Sequence, residues 1–497
     1  MPQTTPKSSQ LLGIRLDGDA TEYAPGDTIV GCVFRKTYVV SPNALVQISL
    51  HGRTKSKMVV NRGGNSSSTY RGRFTLIDER DSAQWIFQGP LHIPSLGEQV
   101  WPFAITIPLH PNPKFLALGV LQEQSYLPLD PGHVATQTLP STFKLDSTGS
   151  TEGFIEYFLK AELRASRDSS VDVTDAVLPV RVVNLSVDPP IADLGLRTSR
   201  EARSVASYRL VPGMEETELS ISQKMKQSLN FSSVPTFWFT VEIEAPTLIQ
   251  LENPNPIPFR MRVVPDFERT SEIIQGVPHK VRLTSVHARV KVTTEIRCEG
   301  TFNPHHKTKT REIDLLSQGV IPTLTKPVWI PCTNEWPPVD IGALANLRFG
   351  RRGRIGPVQP RYGPDVYPTF TTYNIRHSHR LSWYVRGNIA GEEFHVSGGH
   401  PVTLLMASDE RGQGAILPAE ASSQQVTAPP SFESGERADS WIQPPAESDG
   451  LPTFAEVRQE DERLRLSQIA GPSSAPPDTV SGKALQRDAE GSNKSEL

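Results

Sequence analysis

The residues best suited to chemistry are few. His377 and His379 stand one residue apart in NIRHSHRL. On a strand, side chains at i and i+2 leave the same face, so two imidazoles there make half of a metal site that a third ligand would complete. The other reading puts both on a wet strand face beside Arg376 and Arg380. His305 and His306 point to opposite faces if extended, and read more simply as part of a polar loop. The cysteines are three, Cys32, Cys298 and Cys332. An odd, sparse count predicts no disulfide framework and suits a reducing compartment. Cys32 follows Gly31 within an apolar strand and Cys298 falls on an apolar face, so both read as small core residues. Cys332, in VWIPCTNEW, carries no such signal. No G-x-x-x-x-G-K-[ST], H-E-x-x-H, G-x-S-x-G or C-x-x-C occurs, and VSGK at 480–483 lacks the upstream Gly. The expectation is a protein that is not an enzyme and needs no cofactor.

One stretch concentrates charge. LRFGRRGRIGPVQPRYG, 347–363, holds Arg348, Arg351, Arg352, Arg354 and Arg361, and no Asp or Glu lies between Asp340 and Asp365. Gly350, Gly353 and Gly356 predict a loop. Guanidinium forks match phosphate oxygens, so the loop suits anionic lipid headgroups or a phosphorylated partner segment. Its plainer role is a solvated loop that aids solubility. No aromatic ladder accompanies the arginines, which argues against nucleic acid.

The elements that position these residues read as strands. GFIEYFLKAELRA puts Ile155, Tyr157, Leu159, Ala161, Leu163 and Ala165 on one face, and Glu156, Lys160, Glu162 and Arg164 on the other, with Phe158 the exception. VHARVKVTTEIRC alternates in the same way from Val286 to Cys298, as do TFWFTVEIEAP and ALVQISLHG. One wet and one buried face is the mark of paired antiparallel sheets. Long amphipathic helices are missing from 1–408, which argues against βαβ units. Pro is frequent, 44 of 497, and is predicted to flank strands rather than interrupt them. Charged residues are 21% and the net charge is −3, so no whole-chain field calls for nucleic acid or an acidic membrane. The polar N-terminus predicts no signal peptide, and no run reaches the roughly 20 apolar residues of a membrane span. The default is a cytosolic protein.

The composition divides the chain into a flexible stretch at 1–10, strand-rich blocks at 11–185 and 207–408, a linker at 186–206 and a disordered tail at 409–497. Gly31, two residues before Val33, predicts a close backbone approach or a bulge.

In order, EYAPGDTIVGCVF, ALVQISLHGR, WPFAITIPLHPNP and GFIEYFLKAEL resemble the N-terminal domain of the arrestin superfamily, specifically fungal arrestin-like (α-arrestin) proteins. SYRLVPGMEETELSISQKMKQSL, VPTFWFTVEIEAPTLIQLENPNPIPFRMRVV, TTYNIRHSHRLSWYVRGNI and HPVTLLM resemble its C-terminal domain. The resemblance spans most of 11–406. It implies an all-β chain of two tandem antiparallel β-sandwiches, arrestin N-like and C-like in the immunoglobulin-like class, with a disordered C-terminal tail. It also implies an adaptor that binds the cytoplasmic segments of membrane transporters or receptors and recruits a WW-domain ubiquitin ligase, leading to endocytosis. Such a protein is cytoplasmic and recruited peripherally to plasma or endosomal membranes.

The family's tail motif is P-P-x-Y or L-P-x-Y, a pre-formed extended ligand for an aromatic groove. Two stretches stand near it: APPSF, with Pro429, Pro430 and Phe432, and LPTF, with Leu451, Pro452 and Phe454. Both have Phe in place of Tyr. Thr453 to Glu456 also fits a capping box, so LPTFAEV reads either as a docking motif or as a capped helix stub. Two other readings stay open: a cargo-sorting or signalling scaffold on the same fold without a ligase, and a β-sandwich enzyme.

Overall fold

Alternation at a period of two dictates strands, and a computed structural model of the chain consists largely of them. It describes residues 3–408 except 19, 62–65, 96, 146–149, 168–169, 186–189, 230, 301–302, 318–320, 322–325 and 356–364. The tail motifs at Pro429, Pro430, Phe432, Leu451, Pro452 and Phe454, and Arg361, lie outside the described residues.

The first half holds β1 (Gly13–Leu16), β2 (Thr28–Arg35), β3 (Val39–Asn61), β4 (Ser67–Ile77), β5 (Gln84–Ile93), β6 (Gln99–Thr106), β7 (Phe143–Lys144), β8 (Thr151–Arg167) and β9 (Ser170–Val180). They make an antiparallel sheet β1–β2–β6 and a larger one, β4–β3–β8–β7, to which β5 adds on β3 and β9 on β8. Ile29, Val33 and Phe103 from the first sheet meet Ile48, Leu50 and Leu159 from the second in one apolar core. The alternating face of β8 is buried throughout, from Ile155 to Ala165. Each such Leu or Ile contributes roughly 2 kcal/mol when withdrawn from water.

The second half holds β10 (Leu196–Ala206), β11 (Thr236–Pro246), β12 (Leu248–Gln250), β13 (Arg260–Pro265), β14 (Lys280–Cys298), β15 (His305–Leu316), β16 (Trp329–Pro331), β17 (Val339–Asp340), β18 (Arg348–Gly350), β19 (Gly353–Ile355), β20 (Phe370–Thr371), β21 (Ile375–Ile389) and β22 (Glu392–Leu405). The sheets are β10–β11–β13–β17, β12–β22–β21–β14–β15 with β16 on β14 and β20 on β21, and the hairpin β18–β19. Phe237, Val241 and Met261 face Val286, Val385 and Val396 in a second core.

Three sequence expectations meet corrections. The stretch read as linker contains β10, which pairs with β11 along its whole length. Its mostly polar residues give no alternation signal because backbone bonds to one neighbour hold this edge strand. Prolines do interrupt strands: Pro102 lies within β6 and Pro179 within β9. Each of these two strands pairs with one named neighbour, where a missing N–H breaks no ladder. Residues 3–10 are anchored, since Lys7 exchanges backbone bonds with Val177 and Thr4 reaches Glu156. Gly31 gives the expected close approach: a Cβ there would stand 2.4 Å from the Arg15 carbonyl oxygen. Among the described residues no helix is long and apolar enough to cross a membrane.

Candidate functional site

The strands β14 and β21 are longer than one core requires. Val281 to Val292 of β14 line the second core, while Ile296 and Cys298 line the first. Likewise Leu381 to Ile389 of β21 serve the second, and Ile375, with Tyr373 just before it, serves the first. The ends of both strands therefore pass from one core into the other. Small residues make room, because a Cβ on Gly72 would meet the Arg297 carbonyl oxygen at 3.0 Å and one on Gly153 would meet Ile296 at 3.1 Å.

This joint is polar as well as apolar. Thr54 Oγ1 donates to Asn374 Oδ1 at 2.6 Å, and Asn374 Nδ2 donates to Ser56 Oγ at 3.0 Å. Ser56 in turn donates to the Arg297 carbonyl, and Cys298 Sγ lies 3.4 Å from its Oγ. Asn374 and Thr54 are both fully buried. Around the rim, Arg297 donates to the carbonyls of Glu123 and Ser125 and covers the Tyr126 ring at 4.1 Å. His305 stacks on Tyr70, with ring centroids 3.6 Å apart. His305 and His306 do face opposite ways, but on β15 rather than in a loop.

His377 and His379 lie beside this joint. Neither is on a wet face: they are 2% and 5% exposed. Phe143 from the first half and Phe370 from the second close on His377 at 5.2 and 5.4 Å. Nδ1 of His377 bonds Thr294 and Nδ1 of His379 bonds Thr369, each at 2.8 Å, and both Nε2 atoms are buried without a partner. Burial holds the imidazoles neutral, with His377 well below the usual histidine range and His379 lowered to about 3. Among the described residues no third His, Cys, Asp or Glu completes a metal site with them.

A cleft of about 830 Å³ opens next to His377, with walls from both halves. Leu145, Phe154, Val292 and Tyr367 form its apolar lining, and Lys144, Lys309 and Arg311 bring positive charge. Among the described residues its one acidic lining residue, Glu152, is held by Lys57 at 2.9 Å. The described lining residues carry more positive than negative charge, which suits an anion better than a cation.

A buried charge cluster lies on the first half. Glu156, assigned by alternation to a wet face, is 4% exposed because Thr4 covers it. It accepts from Arg53 Nε at 2.6 Å, with Lys55 Nζ at 3.9 Å. Burial, with Arg53 beside it, lowers Lys55 to about 8. No spacing in the sequence marks this cluster, because its four residues come from an N-terminal segment and two paired strands.

The basic stretch is partly engaged within the molecule. Arg351 pairs with Glu22 at 2.6 Å, and its amide donates to Glu252. Arg354 bonds the Ala345 carbonyl, and Arg348 is half-buried on β18. Arg352 is exposed, with no partner among the described residues. Local sequence hid this neutralisation, since Glu22 lies 329 positions away. All three cysteines are free and buried. Burial pushes the Cys298 thiol to about 11 and the Cys332 thiol to about 12, so neither is a nucleophile near neutral pH.

No protein-family model and no curated protein matches the chain.

Proposed function

We propose that the chain is a non-enzymatic, arrestin-like adaptor with two tandem β-sandwiches, a protein that binds cytoplasmic segments of membrane transporters or receptors and promotes their ubiquitin-linked endocytosis. In this reading it is cytoplasmic, recruited peripherally to plasma or endosomal membranes, and needs no cofactor. The observation that carries it is the joint: two separate apolar cores are tied into one platform by strand ends that cross between them and by buried bonds at Asn374. Of the arrestin-like segments of the sequence, TTYNIRHSHRLSWYVRGNI contains β21, one of these two strands. Such a platform offers long sheet surfaces to a partner segment. Arg352 remains available for contact with phosphate or anionic lipid, and Arg348, Arg351 and Arg354 help to shape its surroundings.

A second reading, a sorting or signalling scaffold that recruits no ligase, is favoured by one specific feature. Phe432 and Phe454 stand where the family's tail motif has Tyr. A lost hydroxyl bond costs about 0.5–1.5 kcal/mol, and two weak sites on one tail recover part of it through effective concentration. Full-length protein bearing Phe454→Tyr or Phe454→Ala, titrated with a ligase WW domain, separates the two readings. Under the adaptor reading Tyr tightens binding about two- to tenfold and Ala abolishes it at this site. Indifference to both changes assigns the scaffold reading.

A further inference from the structure

The helix Ile221–Ser228, between β10 and β11, is built inside out. Its start is locally specified by a capping box: Ser220 Oγ accepts the Gln223 amide at 3.3 Å, and Gln223 Oε1 accepts the Ser220 amide at 2.9 Å. Helical rotation lines up Ile221, Met225 and Leu229 in one stripe. These side chains are 86%, 59% and 64% exposed, and Phe231 just beyond is 52% exposed. Gln223 and Gln227, on the opposite side, are the half-buried ones. Gln227 donates to the Glu392 carboxylate at the start of β22 and accepts the Tyr208 amide at 3.4 Å. The helix thus rests on the protein through amide side chains and holds its largest apolar groups in water, the reverse of a helix packed on its own core.

The charges indicate what covers that face. Lys224 and Lys226, both exposed, each stand about 100° around the wheel from the centre of the stripe, one on either side. Ser222 and Ser228 lie between them and the stripe. An apolar stripe with a lysine on each shoulder is the pattern of a helix lying in a lipid interface, where the lysine stems reach outward to anionic headgroups. A protein groove would accept the stripe but gives no reason for this symmetry. The neighbouring loop adds to the same end of the molecule: Ser271 and Thr236 exchange bonds at 2.9 and 3.0 Å, and that loop exposes Phe267 and Ile273. The exposed Glu215, Glu216 and Glu218 precede the helix, beyond buried Leu219, so charge alone does not hold the element to a membrane.

The geometry points to the Ile221–Ser228 helix as a membrane-contact element that takes an anionic phospholipid surface. The inference stands apart from the adaptor reading, since vesicle binding and cargo binding can fail separately. Flotation of the full-length protein with phosphatidylcholine vesicles, with and without phosphatidylserine, tests it. Wild type is expected to float with the phosphatidylserine vesicles. Met225→Asp with Leu229→Asp should weaken this about tenfold or more, because each removes a side chain's worth of apolar burial. Lys224→Glu with Lys226→Glu should abolish the preference for phosphatidylserine. All four positions are exposed, so circular dichroism should be unchanged. The inference is overturned if wild type does not float, if the aspartate variant floats as well as wild type, or if phosphatidylcholine alone is bound equally. Self-association without lipid binding that Met225→Asp abolishes would assign the face to a second copy and overturn it too.

Discussion

Replacing Asn374 with Leu is expected to destabilise the protein by about 2–4 kcal/mol, although the two side chains are similar in size. The loss is large because of what stays behind. Among the described residues Thr54 Oγ1 has Asn374 as its one side-chain hydrogen-bond partner, and Ser56 loses the donor that Asn374 supplies. Both sit where water does not reach. A buried polar atom stripped of its partner costs about 1–3 kcal/mol, more than the bond itself contributes when made. Adding Thr54→Val to Asn374→Leu removes the stranded hydroxyl and should recover a substantial part of the loss. Urea unfolding of the wild type, both single variants and the double variant measures this coupling. Hydrogen exchange supplies the location, since the Ile296–Cys298 segment should lose protection first in the Asn374 variant.

The second large effect is acid sensitivity. His379 and His377 are neutral and buried in the folded protein, whereas in the unfolded chain a histidine titrates near 6.5. The folded value is the lower one, so the unfolded chain binds protons first as the pH falls. Stability is therefore unaffected above about pH 6.5, declines below it, and keeps declining until the folded groups titrate, at about 3 for His379. His379 alone costs about 2 kcal/mol between pH 6.5 and 5. His377 acts in the same direction, and protonating either ring penalises the other, 4.8 Å away. His379→Asn keeps an acceptor near the position of Nδ1 and should flatten the decline between pH 6.5 and 5. His51, lowered by burial to about 4, contributes separately, so the difference between variant and wild-type profiles is the quantity to measure. Superimposable profiles would mean that the ring is reached by water.

The strands themselves were legible because their side chains alternate, β8 from Ile155 to Ala165 apart from Phe158 and β14 from Val286 to Cys298. What alternation does not report is which core a residue enters. Val292 and Ile296 look alike in the sequence, yet they belong to different cores. Only the three-dimensional path of β14 separates them. Edge strands were illegible for a related reason: β10 is held by its backbone, so its side chains are free to be polar. Long-range charge pairing was hidden altogether. Arg351 looks unneutralised in its own neighbourhood, and Glu156 looks solvated, until Glu22 and Thr4 are brought to them. The histidine pair was singled out by its spacing, which correctly put both rings on one face. Phe143, which closes on His377 from more than 230 positions earlier, is a contact that no local pattern signals.

Proximity labelling in living cells tests the adaptor role most directly. A labelling enzyme fused to the full-length chain is expected to mark cytoplasmic segments of transporters or receptors, with labelling of ubiquitin ligases reduced by Phe454→Ala. Labelling confined to soluble proteins, with no membrane protein enriched over an unfused control, would contradict it.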